Sequence, residues 1–83
     1  MSTQSQLAPV RFLIEAVSPE PQAPEHENYV IQSQLNNGHW TSRRAEHGIQ
    51  EVRNFLAAMG VDANAINLAA EELRRVRKTD VSV

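Results

Sequence analysis

The residues of this chain best suited to acid–base chemistry are its three histidines. Two of them stand beside a glutamate, in the pairs His26-Glu27 and Glu46-His47. Neighbours in sequence point to different sides of a strand or helix, so adjacency alone does not build a catalytic dyad. The chain has no cysteine, and none of its serines lies in the Gly-x-Ser-x-Gly turn that exposes a nucleophile. We therefore predict no catalytic residue and expect a protein that is not an enzyme.

Metal binding would need ligands that converge, and the sequence offers mainly His39 and His47. Neither has a cysteine or histidine partner at the spacing typical of a zinc site. Gly38, Gly48 and Gly60 are isolated from one another, so the chain has no glycine-rich phosphate loop. We expect neither a metal nor a cofactor.

The double arginine Arg43-Arg44 is the strongest candidate for binding an anionic group. We predict it at the start of a helix, where the positive end of the helix dipole disfavours cations. Nothing local explains two cations there. A role in binding a carboxylate or phosphate therefore competes with a plain solvated pair. His39 is expected nearby, which would make an Arg/His corner.

Local patterns predict three strands in the first half of the chain. Residues 10–17 are β-branched and aromatic over the length of a strand, and residues 28–35 form a second such run. A third strand is predicted over residues 39–43. The segment at 18–27, which we call the Pro/Glu loop, has three prolines and three glutamates and is predicted to connect the first two strands as an irregular spacer.

The pair Asn37-Gly38 predicts a tight hairpin between the second and third strands. A type I′ loop of two residues needs positive φ at both central positions, and Asn-Gly favours it. This register places Trp40 opposite Leu35, on the apolar face that closes the core. We therefore predict that Trp40 is buried; the alternative is an exposed aromatic anchor beside His39 and Arg43, of the kind that dominates interfaces.

Two helices are predicted in the second half, over residues 44–59 and 63–78. The first would be capped by Thr41 or Ser42 and end at Gly60, and the second would be capped by Asp62 or Asn64. Apolar residues recur along both at helical spacing: Ile49, Val52, Phe55, Leu56 and Met59 in the first, and Ile66, Ala69, Ala70, Leu73 and Val76 in the second.

In chain order these elements give βββαα. We predict an α+β fold of two layers, with a three-stranded antiparallel sheet and both helices on one of its faces. Residues 1–9 are expected to form a disordered arm, residues 10–79 a single domain and residues 80–83 a frayed tail.

Length and composition narrow the classes of function. A chain of 83 residues buries one modest core, which leaves little room for a deep catalytic cleft. With a formal net charge of −2, the domain lacks the basic character typical of general nucleic-acid binders. The absence of cysteine favours a cytoplasmic protein, and no apolar run is long enough to span a membrane.

The sheet face away from the helices is predicted to carry apolar side chains from the first two strands. An open antiparallel face is normally polar, so Leu13, Val17 and Val30 indicate a surface that contacts a partner protein. The Pro/Glu loop or the N-terminal arm could instead cover them. If residues 10–17 form an edge strand, they could also pair with a second copy of the chain.

We therefore expect a protein–protein interaction module, of the type found among adaptors, assembly factors, immunity proteins and phage-encoded inhibitors. Its predicted contact residues are Leu13, Val17, Val30, His39, Arg43 and Arg44.

The alternative is a DNA-binding protein, because residues 52–72 resemble a helix-turn-helix with Gly60 at its turn. The second helix would then meet the DNA. Its start lacks arginine and lysine, so little phosphate-neutralising charge is available there. The residues predicted to contact DNA are Asn64, Asn67, Arg74 and Arg75.

Overall fold

The computed structural model describes residues 6–83. In this part of the chain the elements are β1 (Pro9–Ala16), β2 (Asn28–Leu35), β3 (Arg44–His47), α1 (Ile49–Ala58), α2 (Ala63–Val76) and β4 (Lys78–Ser82). The strands form one antiparallel sheet in the order β3-β2-β1-β4. The predicted α+β class is confirmed, but the chain order is βββααβ and the sheet has a fourth strand. No helix in residues 6–83 has the length and apolar character needed to cross a bilayer.

The core lies between one face of the sheet and the two helices. Alternate residues of β1 and β2 point toward the helices, and Phe12 at the centre is fully buried. Its ring meets that of Phe55 edge-on, with ring centres 5.6 Å apart. The predicted helix stripes are confirmed through Leu73, whereas Val76 is exposed. The buried apolar residues are Phe12, Ile14, Tyr29, Ile31, Val52, Leu56, Val61, Ile66, Ala69, Leu73 and Val81.

β4 is the main departure from the predicted fold. Lys78–Ser82 form a strand along β1, although the helix was predicted to run to residue 78 and residues 80–83 were expected to fray. The helix ends early because Arg77 takes the left-handed conformation, with φ of 66°, that glycine usually takes after a helix. The chain then reverses, and Thr79 and Val81 turn inward and are buried.

β1 is consequently a central strand. It pairs with β2 on one side and with β4 on the other. The interpretation of residues 10–17 as an edge strand open to a second copy of the chain is therefore wrong. Within the described residues, the two edges of the sheet are β3 and β4.

The hairpin after β2 has a three-residue loop and not the predicted two-residue loop. The Gly38 N–H donates to the Leu35 carbonyl at 2.9 Å. Gly38 has φ of 92°, but the two asparagines before it do not have positive φ, so the turn is not type I′. Gln34 therefore pairs with Trp40, one residue away from the predicted register.

A β-bulge around Thr41 restores the predicted register farther along. The Thr41 N–H donates to the Ser33 carbonyl at 2.8 Å, and the Thr41 hydroxyl accepts from the Ser33 N–H at 3.2 Å. Beyond the bulge, Ile31 pairs with Arg44 in the register that the two-residue loop would have given. The third strand thus begins at Arg44, after the predicted strand 39–43 would have ended.

The first helix was predicted to start at residue 44, but β3 occupies residues 44–47. α1 begins instead at Ile49, and the predicted N-caps lie in the bulge. The Ile49 N–H donates to the Pro24 carbonyl at 2.8 Å. Gly48 has φ of 84°, and a Cβ on it would lie 3.0 Å from the carbonyl oxygen of Glu25. The Pro/Glu loop is therefore packed closely against the start of α1.

The junction between the helices matches its prediction. Gly60 has φ of 90° and ends α1, and the Val61 N–H donates to the Leu56 carbonyl at 3.0 Å. Val61 is buried, as expected for the hydrophobic partner of such a cap. The Asp62 carboxylate accepts from the Asn64 N–H at 2.9 Å and caps α2, which confirms Asp62 as the N-cap.

Part of the arm predicted at 1–9 lies outside the described residues, namely residues 1–5. The backbone carbonyls of Gln6 and Ala8 accept hydrogen bonds from Asn36, and Pro9 opens β1. The chain before β1 is thereby held beside the hairpin loop.

Candidate protein-interaction surface

The sheet face opposite the helices is exposed, and we call it the open face. Pairing across the sheet brings side chains of all four strands together there, with Leu13 opposite Gln32 on one side and Asp80 on the other. The strand residues that point to this face are Arg11, Leu13, Glu15, Asn28, Val30, Gln32, Gln34, Ala45, His47, Lys78, Asp80 and Ser82.

A depression of about 430 Å³ lies on the open face and reaches over β4. Its lining includes the apolar side chains of Leu13 and Val30, together with Arg43, Lys78 and Asp80. Apolar surface surrounded by charges of both signs resembles the anatomy of a protein-binding patch, with an apolar centre and a polar rim.

Trp40 also lies on the open face, with 39% of its surface exposed. The guanidinium carbon of Arg11 is 5.5 Å from the centre of the Trp40 ring, within the range of a cation–π contact. Arg11 also donates to the Asp80 carboxylate, from Nε at 3.0 Å and from Nη2 at 2.6 Å. We call these three residues the cation–π row. It positions an aromatic side chain of the kind that dominates many interfaces.

The ion pair in this row shifts the ionisation of both partners. The hydrogen bonds from Arg11 hold the pKa of the Asp80 carboxyl below its usual value, despite the opposing effect of partial burial. The hydrogen bonds to Asp80 likewise raise the pKa of Arg11. Asp80 is therefore negatively charged throughout the neutral range, and about half of its side chain stays exposed beside Arg11.

The structure brings together three of the six predicted contact residues. Leu13, Val30 and Arg43 all line the depression. Val17 is exposed just after β1, and His39 is exposed at the hairpin, but neither lines the depression.

Arg43 and Arg44 point to opposite faces of the sheet, because consecutive residues of an extended chain alternate. Arg43 lines the depression, whereas the Arg44 guanidinium carbon is 4.8 Å from the centre of the Phe55 ring on the helix side. Arg44 also forms an ion pair with Glu46. The two cations therefore do not form a joint anion site. Their predicted position at a helix N-terminus is wrong because α1 begins at Ile49.

The histidine–glutamate pairs do not form a shared site. At the end of β3, the His47 Nδ1 atom lies 2.8 Å from the Asn28 Oδ1 atom of β2. His26 is exposed in the Pro/Glu loop, and its neighbour Glu27 is buried. In the part of the chain that the structure describes, no three His, Asp or Glu side chains come close enough together to hold a metal ion.

Glu27 is a buried carboxylate, with only 3% of its surface exposed. It accepts from the Ser18 N–H at 3.1 Å and the Asn28 N–H at 3.2 Å, and it lies 3.2 Å from the Arg77 Nη1 atom. Burial alone would raise the pKa of Glu27. Hydrogen bonds from Ser18 and Gln22 and the charge of Arg77 outweigh that effect and hold the pKa below its usual value. Glu27 thus binds the Pro/Glu loop to the end of α2, a structural role that no local sequence pattern marks.

The residues predicted to contact DNA are partly engaged within the protein. The Asn67 Oδ1 atom accepts from Arg53 at 2.9 Å, and Arg74 forms an ion pair with a glutamate one turn earlier on α2. Asn64 and Arg75 are exposed. No contact in the described residues favours a DNA-binding role, which stays a prediction.

The cation–π row was not among the contact residues predicted from the sequence. The two-residue loop assigned Trp40 to the core, and the frayed tail left Asp80 without a position on the sheet. The alternation of β-branched Thr79, Val81 and Val83 was the signal for β4. It is short, and it follows a helix without a glycine or proline between them.

The geometry defines a small two-layer α+β domain whose sheet has one covered face and one open face. Comparison of the chain with protein-family models, with curated proteins and with solved structures finds no match. We therefore infer function from the open face alone.

Proposed function

We propose that this chain is a non-enzymatic protein-interaction module, cytoplasmic in location, which binds a partner protein through its open face. The observation that carries the proposal is the exposure of Leu13 and Trp40 on that face. An antiparallel sheet that faces only water is normally polar on its wet side. Apolar side chains exposed together on such a face are typical of an interaction site.

The charges around the depression indicate which partner surface fits. Asp80 is already paired with Arg11, and Glu15 lies opposite Lys78 across the β1–β4 pair. Arg43 lines the depression and forms no ion pair within residues 6–83, so it is a cation available to a partner. A partner segment with an apolar side chain next to a carboxylate would place the former on Leu13 and the latter on Arg43.

The test is an affinity capture from lysate of the source organism, with nuclease added and with mass spectrometry of the recovered proteins. Wild type is compared with the double variant Leu13→Lys/Arg43→Glu, which changes the depression only at exposed side chains. The matched control is Leu68→Lys, which adds the same charge at an exposed leucine on α2. Thermal unfolding of all three proteins checks that the fold is kept.

The proposal expects a protein that is recovered in stoichiometric amount with wild type and with Leu68→Lys, and that is lost with the double variant. Equal recovery by all three baits would show that the partner binds elsewhere and would overturn the open-face proposal. Recovery only of material that nuclease removes would favour the DNA-binding alternative. Salt-dependent binding to duplex DNA, weakened by Asn64→Ala and Asn67→Ala, would then decide for it.

A further inference from the structure

The outer side of β4 carries hydrogen-bonding groups that no strand in the described chain uses. The Val83 N–H donates to the Val10 carbonyl at 2.9 Å, and the Ala16 N–H donates to the Arg77 carbonyl at 2.8 Å. The odd-numbered residues of β4 therefore direct their backbone groups toward β1. In an antiparallel ladder the alternate residues direct theirs away. Those that face outward are Lys78, Asp80 and Ser82.

α2 adds exposed apolar surface beside this edge. Leu68 is 72% exposed and Val76 is 44% exposed. A groove of about 380 Å³ runs between α2 and β4, and its lining includes Leu68, Val81 and Ser82. An open strand edge flanked by apolar side chains is a template for pairing with another chain.

We propose that two copies of this chain pair antiparallel through β4, about a twofold axis beside Thr79, to form one continuous sheet. In this register Lys78 lies opposite the partner's Asp80, and the symmetry repeats the pair. Each pair exchanges both of its outward backbone hydrogen bonds. Thr79 faces its own copy across the axis, with its hydroxyl donating to Glu72 at 2.7 Å, and the opposed unlike charges stabilise the neighbouring strands.

Charge complementarity selects this register over its neighbours. An axis at Asp80 would place two carboxylates directly opposite each other, which is unfavourable. An axis at Val81 would place Asp80 opposite Ser82 and would bring no unlike charges together. The axis at Thr79 is the one of the three that pairs each Lys78 with a carboxylate.

The same register brings together the two exposed apolar side chains beside the β4 edge, Leu68 and Val76. It places Val76 of one copy opposite Ser82 of the other, next to the groove that Leu68 lines. The exposed valine at the end of α2 in each copy therefore lies toward the exposed leucine of the other. This self-association does not depend on the open face having a partner, since Leu13 and Trp40 of both copies stay exposed and only the β4 side of the depression lies at the paired edge.

Sedimentation velocity of the full chain over a wide range of concentration tests the proposal. We expect reversible association from a 9.3 kDa monomer to a species of twice that mass. Leu68→Glu and Val76→Glu each place a carboxylate in the apolar contact and should raise the dissociation constant roughly tenfold or more. Ala45→Glu, which adds a carboxylate on the open face at the opposite edge of the sheet, is the control and should leave it unchanged. A monomer at every concentration would overturn the proposal, as would unchanged association of both variants.

Amide hydrogen exchange gives a second readout that specifies the register. The Lys78 and Asp80 amides should exchange more slowly as the concentration rises, because they become hydrogen-bonded across the axis. The Ser82 amide faces the partner's helix end, which offers it no strand partner, so its rate should stay constant. Slower exchange at Ser82 without slower exchange at Lys78 would rule out the axis at Thr79.

Discussion

Replacing Glu27 by glutamine tests whether one buried carboxylate holds the Pro/Glu loop to the end of α2. One carboxylate oxygen accepts from the Gln22 N–H at 3.4 Å and lies 3.2 Å from Arg77, and the other accepts from Ser18 at 3.1 Å and Asn28 at 3.2 Å. Whichever oxygen becomes the NH2 group, two donors then face a donor. A hydrogen bond to a charged group contributes about 1.5–3 kcal/mol. The Gln22 bond is long and the Arg77 side chain is 32% exposed, so we expect a net loss of about 2 kcal/mol.

For a domain of this size, such a loss lowers the melting temperature by roughly 8–16 °C. Urea and thermal unfolding followed by far-UV circular dichroism would measure it. The matched control is Glu25→Gln, an exposed glutamate in the same loop, which should change stability by less than about 0.5 kcal/mol. If the two variants unfold with free energies within about 0.5 kcal/mol of each other, the reasoning about Glu27 is refuted.

The pH dependence of the same comparison has a definite sign. The folded-state pKa of Glu27 lies below its ordinary value of 4.5. The stabilisation by its carboxylate is therefore complete above that pH and is lost as the pH falls through the folded-state pKa. The lowered pKa of Asp80 acts in the same direction in both proteins, so the difference between them isolates Glu27. Wild type should lose its advantage over Glu27→Gln on acidification, and a constant difference down to about pH 2 would contradict this.

Three further substitutions test the irregular backbone by urea unfolding. Arg77→Ala and Arg77→Gly both remove the ion pair, but alanine keeps the strain of the positive φ. The glycine variant should therefore be more stable than the alanine variant by about 1 kcal/mol. Equal stabilities of the two variants would argue against that strain. Trp40→Ala should cost about 1 kcal/mol, whereas Phe12→Ala at the fully buried position should cost about 3–5 kcal/mol; similar losses would place Trp40 in the core. Thr41→Val deprives the Ser33 N–H of its acceptor and should cost about 1–3 kcal/mol, and a neutral effect would show that the hydroxyl does not maintain the bulge.

The junction between the helices was predictable because its determinants are local. Gly60 supplies the left-handed residue, Val61 packs back, and Asp62 caps the next helix within two residues. Leu13 and Val30 were predictable for a similar reason, since the alternation of a strand assigns each side chain to one face. Period and capping chemistry specify these features without knowledge of the rest of the fold.

The end of α2 and the existence of β4 depended on contacts that are distant in sequence. Glycine usually marks a left-handed helix end, but Arg77 stands at this one, and its guanidinium is held by Glu27 and by the Ser18 carbonyl. The start of α1 is similar, because pairing of residues 44–47 with β2 overrides the N-cap signal of the preceding residues. Single-sequence patterns do not report such long-range compensation.

The exposure of Trp40 follows from two irregularities that offset each other. The three-residue loop shifts the pairing by one residue, and the bulge at Thr41 shifts it back before Arg44. Only in the short segment between the loop and the bulge do the side chains point to the opposite face from the one predicted. Trp40 is the large side chain in that segment. A shift of one residue moves a side chain to the other face of a sheet, so the bulge lets β3 keep its helix-facing register while the tryptophan joins Arg11 on the open face. β-Bulges often re-aim a side chain beside a functional site, and here the re-aimed residue is an aromatic anchor on the surface proposed to bind a partner.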